Sequence, residues 1–117
     1  MNFLAHAYLS GSDEKILVGN FIGDFVKGRE KMEAFEPGIR TGIVLHRAID
    51  AFTDHHPIVH ESKQRLRPKY RHYAGVIVDI FYDHFLARNW TSYHNMSLEK
   101  FAASVYQIVQ HHDTILP

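Results

Sequence analysis

Cysteine is absent from the 117 residues, which excludes disulfides and thiolate metal sites and fits a reducing compartment. No apolar run approaches the roughly 20 residues needed to span a bilayer. The opening "MNFLAHAYLSG" lacks the basic start of a secretory leader. A soluble, cytoplasmic chain with no membrane partner is expected. Neither sign of charge dominates, since 13 Lys and Arg balance 13 Asp and Glu. A general polyanion binder is usually basic overall, so nucleic acid is not an expected partner. Several catalytic signatures are missing too. There is no Walker-type loop, no G-x-G-x-x-G and no H-E-x-x-H, and Ser10, Ser62 and Ser92 have no nucleophile-elbow context.

What is present is enough for a core: 45% of the chain is apolar and 13% of it aromatic. The length suits one domain, 1–117. No repeat or long linker interrupts it, and its punctuation divides it into six helix-length pieces. "NFLAHAYLS" is stopped by Gly11. Ser12 is a candidate cap for "EKILVGNFIGDFVKG", which ends near Gly28. Within that helix Gly19 and Gly23 stand four apart and imply close packing or a close ligand. Pro37 opens a third helix running to about His55. Pro57 opens a fourth, "PIVHESKQRLR", ended by Pro68. A fifth spans about Arg71 to Trp90, and Ser97 caps a sixth, "SLEKFAASVYQIVQHH". "GVIVDIF" is β-prone, but its flanks extend it to helix length. The expected class is an all-α helical bundle.

Histidine is abundant, with 10 residues, and is the commonest metal ligand. Part of that excess has a bland reading, because "HHP" at 55–57 and "HHD" at 111–113 sit at helix ends, where a cation is welcome. Four places are harder to explain, because they set acids or imidazoles in apolar company. These are His6; Asp24 in "GNFIGDFV"; His46, Asp50 and Asp54, each four apart on one helical face; and Asp79, Asp83 and His84 in "VIVDIFYDHFL". The last helix is apolar all round, so it is expected to be buried and central. Desolvating Asp79 beside Asp83 then requires protonation, a cationic partner or a metal. Structural readings exist for each alone: a hydrogen-bonded core histidine at His6, an arginine partner for Asp24, solvent for Asp50 and Asp54, or Asp54 as a cap for the Pro57 helix. A single metal centre explains them together. With N and O donors only, it would suit Mn, Fe, Zn or Mg, and such a centre activates water and holds a phosphoryl oxygen.

The blocks "NFLAH" at 2–6, "GNFIGDFVKG" at 19–28, "GIVLHRAIDAFTD" at 42–54 and "DIFYDHFLARNW" at 79–90 resemble the acyl carrier protein phosphodiesterase family, in order along essentially the whole chain. The resemblance implies an HD-like helical fold, a divalent cation, typically Mn2+, and hydrolysis of the phosphodiester joining phosphopantetheine to the carrier's serine. Carried over by position, it implies His6, Asp24, His46 and Asp83 as metal residues, and Asp24, Asp50, Asp79 and His84 as catalytic ones. The adjacent His-Asp order usual in HD enzymes is absent, since 83–84 reads Asp-His. Members of the family continue well past "TILP", so a fragment or a shortened member is expected, with apolar surface that a second copy covers.

Three functions follow as expectations. The first is a metal-dependent phosphodiesterase acting on holo-acyl carrier protein. Lys27 and Arg47 are candidates for holding the phosphate, and the acid-free basic segment "KQRLRPKYRH" at 63–72 for steering an acidic carrier. The second is a phosphohydrolase for a nucleotide or other small ester. The third is a non-catalytic helical domain that oligomerises.

Overall fold

The computed structural model describes residues 2–112 and 114, and among these it contains seven α-helices and three 3-10 turns with no strand. The helices are α1 (Phe3–Leu9), α2 (Glu14–Ile22), α3 (Gly28–Glu33), α4 (Pro37–Asp54), α5 (Pro57–Tyr70), α6 (Ala74–Arg88) and α7 (Leu98–His111). The all-α expectation holds, with one short helix, α3, added to the expected six. The molecule measures 42 × 36 × 20 Å, so its thin dimension holds about two helix diameters. Its radius of gyration of 15.1 Å exceeds the roughly 13 Å of a rounded domain of this length.

The core lies where α2 crosses α4. Val18, Ile22, Ile39 and Ile43 are buried there with Val26, and Phe21, Met32, Phe35 and Ile108 pack around them. Burial of each large aliphatic side chain stabilises the fold by about 1.5–3 kcal/mol. The two helices approach backbone to backbone. A Cβ on Gly19 would collide with the Ile39 carbonyl, and one on Gly42 with the Ile16 carbonyl. The close packing expected from Gly19 is therefore present. Along α4 the buried stripe runs Ile39, Ile43, His46, with half-buried Asp50 next. That 4-3-4 spacing carries one helix face straight from core into polar residues.

Helix starts follow local chemistry. Pro37 and Pro57 occupy the first turns of α4 and α5, and the Ser97 hydroxyl accepts from the Lys100 amide at 3.2 Å. Four expectations need correction. Asp13, not Ser12, caps α2, its Oδ1 accepting from the Lys15 and Ile16 amides at 2.9 and 3.1 Å. The Pro57 helix is capped by His56 rather than Asp54, and Asp54 pairs with Lys63 at 3.4 Å. The helix after Gly11 stops at Ile22. Residues Gly23–Phe25 form a 3-10 turn, Val26 is extended, and Gly28 takes φ +79° before α3 begins. Pro68 lies inside α5, which continues to Tyr70. The bond lost to its missing N–H belongs to an exposed final turn, which the Arg71 amide closes onto the Arg67 carbonyl.

The stretch expected as one buried helix from Arg71 is divided and peripheral. A 3-10 turn at Arg71–Tyr73 precedes α6. Arg71 itself has φ 52° and ψ −124°, a region that favours glycine and costs another residue on the order of 1–3 kcal/mol. Within α6 only Ala74 and Val78 are buried, while Val76, Ile80, Phe81 and Phe85 are each about half exposed. Its apolar circumference does not imply centrality, because α6 packs chiefly against α5 and α1 and leaves much of its apolar surface exposed.

Candidate functional site

Three helices and one turn converge where the α4 stripe turns polar. His6 from α1 and His46 from α4 are buried, at 3% and 4% exposure, with their rings stacked 3.9 Å apart and 10° from parallel. Asp50 lies one turn beyond His46 and bridges the two rings. Its Oδ1 is 3.0 Å from His6 Nε2 and its Oδ2 3.2 Å from His46 Nε2. Asp24, in the 3-10 turn after α2, places Oδ1 3.0 Å from the same His46 Nε2. Donor atoms of His6, His46 and Asp50 all fall within 4.8 Å of one another. The imidazoles form a buried back wall, and Asp24, with its side chain 58% exposed, forms an open rim.

Hydrogen bonding determines which way His46 faces. Its Nδ1 is 2.8 Å from the Asn20 backbone carbonyl and 3.2 Å from the Asn20 side-chain oxygen. Oxygens of carbonyls only accept, so Nδ1 carries the proton. The lone pair of a neutral His46 then points from Nε2 at two carboxylates. Only a second proton or a cation makes that arrangement attractive. His6 is held below the ordinary imidazole pKa, first by burial and then by the His46 ring, with Asp50 opposing. Protonating both stacked rings is thus disfavoured. His6 Nδ1 is also buried without a partner, a cost of about 1–3 kcal/mol. Two ligands about 2.1 Å from one cation and at right angles stand about 3.0 Å apart, close to the separations observed. The donor set of His6, His46 and Asp50 therefore fits a divalent cation, with Asp24 beside His46.

Asn20 was not singled out by sequence reasoning, whereas the close packing expected at Gly23 is present. Asn20 is 1% exposed, and its amide nitrogen donates to the His6 carbonyl at 3.0 Å and to Ser10 Oγ at 2.8 Å. One side chain thereby ties α1 to the imidazole of α4. Gly23 leaves the notch that His46 fills, since a Cβ there would collide with the ring. The available signal was an amide buried in an apolar helix one turn before Asp24, with a glycine between them.

Other expected residues go elsewhere. Both oxygens of Asp83 accept backbone amides of α1, from Leu4 and Ala5, each at 3.0 Å. Asp83 is thus a cap supplied by a helix distant in sequence, and it seats the helix that carries His6. Asp79 is half-buried on α6 and is not among the clustered donors. His84 is exposed and lies edge-on to Phe85. Lys27 is exposed just before α3. Arg47 donates to the Val26 and Gly28 carbonyls at 3.1 Å, which pins the segment after Asp24. Nor is Asp24 sealed behind phenylalanines, because Phe25 is 59% exposed.

The site defines a class: an all-helical protein with a His6, His46 and Asp50 donor cluster of the kind that could hold a metal ion, and Asp24 at its open rim. The family can be stated as well: the model for acyl carrier protein phosphodiesterase matches residues 1–117, and the chain belongs to that family. It is 39% identical over 118 residues to the acyl carrier protein phosphodiesterases of Escherichia coli O139:H28 (strain E24377A / ETEC), O9:H4 (strain HS) and strain K12 / DH10B. These alignments cover all of this chain and 59% of each relative, so the chain spans somewhat over half the length of the curated relatives it matches. No solved structure matches it. Among the described residues, no helix is long and apolar enough to cross a membrane.

Proposed function

We propose that this chain hydrolyses the phosphodiester between phosphopantetheine and the serine of holo-acyl carrier protein, releasing apo-carrier and phosphopantetheine. The observation that carries the reading is His46 Nε2, turned by the Nδ1 bond to Asn20 toward the carboxylates of Asp24 and Asp50 at 3.0 and 3.2 Å. The name of the relatives, acyl carrier protein phosphodiesterase, supports that carrier as the substrate.

His6, His46 and Asp50, with Asp24 at the rim, would hold a divalent cation, with Mn2+ as the expected ion. When bound, such a cation supplies Lewis-acid stabilisation of the phosphoryl charge and makes water a better nucleophile. The residues of the chain do the rest. Asn20 keeps the His46 proton on Nδ1, leaving Nε2 to serve as a donor. Asp50 sets its carboxylate between the two rings, beside Nε2 of each. Asp24, the most exposed of the four, accepts the proton released as water oxygen bonds to phosphorus. The bond between phosphorus and the serine oxygen breaks, and the serine oxygen takes up the proton that Asp24 received, which returns Asp24 to its carboxylate. Asp83 sets the position of α1, and through it His6.

Asp24→Ala tests the reading. Turnover of holo-carrier is expected to fall by about 10²–10³-fold, the usual cost of one electrostatic element, with the melting temperature unchanged or raised, because one of two neighbouring carboxylates is gone. Wild-type turnover in the variant would remove Asp24 from the mechanism. A panel of nucleotides and small diesters run beside holo-carrier separates this substrate from other phosphoesters: faster turnover of a nucleotide would contradict the carrier reading and leave the hydrolytic one standing.

A further inference from the structure

Nothing in the hydrolytic reading accounts for the junction of α5 and α6. Residues 62–78 contain no Asp or Glu, and they hold Lys63, Arg65, Arg67, Lys69 and Arg71. Elsewhere eight cations face all thirteen acids, so the neutrality of the chain conceals one basic region on a net-acidic body. Lys63, Arg67, Arg71, His72 and Gly75 line a single cleft of about 610 Å³. Lys63 is half-buried, its stem lying beside Gly75, where a Cβ would stand 3.7 Å from its Cε. Among the described residues, the Arg67 and Arg71 guanidinium groups make no hydrogen bond or ion pair.

Arg71 carries the argument further. Its φ of 52° belongs to the region that favours glycine, and the turn would form more easily with glycine there. The residue present is an arginine with an unpaired guanidinium over a basic cleft. Strain kept at such a position is best explained by what the side chain does.

The cleft also has a defined relation to the candidate metal centre. Lys63 Nζ reaches Asp54 at 3.4 Å, and Asp54 follows Asp50 by one turn, about 6 Å along the α4 axis. The Lys63–Asp54 pair thus joins one edge of the cleft to the helix that carries His46 and Asp50.

We infer that the cleft between α5 and α6 is the docking seat for an acidic face of a protein substrate, with Arg71 as its anchor. For the partner's identity this rests on the carrier reading above. A protein is favoured over nucleic acid because the rest of the chain carries eight cations against thirteen acids, so an extended polyphosphate would run on into a net-acidic body.

Binding of apo-carrier, which offers no bond to cleave, tests the inference apart from catalysis. Arg71→Gly is expected to weaken apo-carrier about tenfold at low salt while the melting temperature holds or rises. Arg71→Lys, which keeps the charge, is expected to retain most of the affinity. Arg67→Glu gives the same reading without touching the strained turn, and the affinity of the wild-type chain should fall steeply with salt. Unchanged apo-carrier affinity in both Arg71→Gly and Arg67→Glu overturns the inference. So does a wild-type chain that binds a single-stranded oligonucleotide through these residues and not the carrier. Carrier bound through the cleft without hydrolysis supports the docking seat and contradicts the hydrolytic function. Hydrolysis of small diesters without carrier binding does the reverse.

Discussion

Gly19 and Gly42 let α2 and α4 meet backbone to backbone, with Ile22 and Ile43 fully buried beside them. The pairing of α5 with α6 is different: it is made through side chains, such as Ser62 Oγ to Tyr82 Oη at 2.8 Å, and leaves Phe81 and Phe85 half exposed. The first pair holds His46, Asp50 and the turn bearing Asp24. The second pair holds a strained arginine, a basic cleft and Asp83, the cap that reaches across to α1. The clustered His46 and Asp50 side chains lie where backbones touch, and the basic cleft lies where they do not. A centre whose ligands must stay within a few tenths of an ångström needs the first kind of support.

The widest contrast should come from core truncation. Ile43→Ala is expected to cost about 2–5 kcal/mol, and Phe81→Ala under about 1 kcal/mol, because much of that ring is already in water. Denaturant midpoints check both. Equal losses would mean that α6 is as integral to the core as α4.

Next come the glycines. Gly42→Ala drives a methyl into the Ile16 carbonyl and should cost about 1–3 kcal/mol as the helices separate. The same change at Gly75 meets Lys63 Cε at 3.7 Å, an ordinary contact, and should gain up to about 1 kcal/mol from helix propensity. Thermal melting of the two variants side by side sharpens the contrast. A destabilised Gly75→Ala would show that the α5–α6 junction is packed more tightly than its side-chain contacts suggest.

The same division explains what could be read from the residues alone. Helix starts were legible at Pro37, Pro57 and Ser97, because their chemistry is local. His46 and Asp50 were legible as a face, because four residues make one turn. Asp24 was legible as a residue but not as a place: two glycines and two phenylalanines read as a buried helix, and Gly23 instead makes room for a ring from another helix. Asp83 as the cap of α1 was illegible, since its partners lie 79 and 78 residues away and no local pattern encodes them. The apolar circumference of α6 misled for a related reason. Burial depends on which neighbours cover a helix, and periodicity reports only which faces are apolar.

The smallest effect is pH dependence of the metal-free chain. His6 has its folded-state pKa below 6.5, so between that value and 6.5 the unfolded chain binds more protons. The contribution of His6 to stability is complete above about pH 6.5. It declines as pH falls below that value, until the folded form also protonates. Melting in chelator from pH 8 to 5.5 should therefore show the wild type losing ground relative to His6→Gln. A parallel pair of curves would contradict the assigned direction.

Cation binding by the chain itself tests the central claim most directly. Untagged protein, stripped with chelator and titrated calorimetrically with Mn2+, should take up one equivalent and melt at a higher temperature when saturated. His46→Gln should lose most of that affinity, and Asn20→Ala, which frees the His46 ring without removing it, should lose about 10–100-fold. A wild-type chain with no Mn2+ heat and no shift in melting, or a His46→Gln variant that binds as tightly as wild type, would contradict the account.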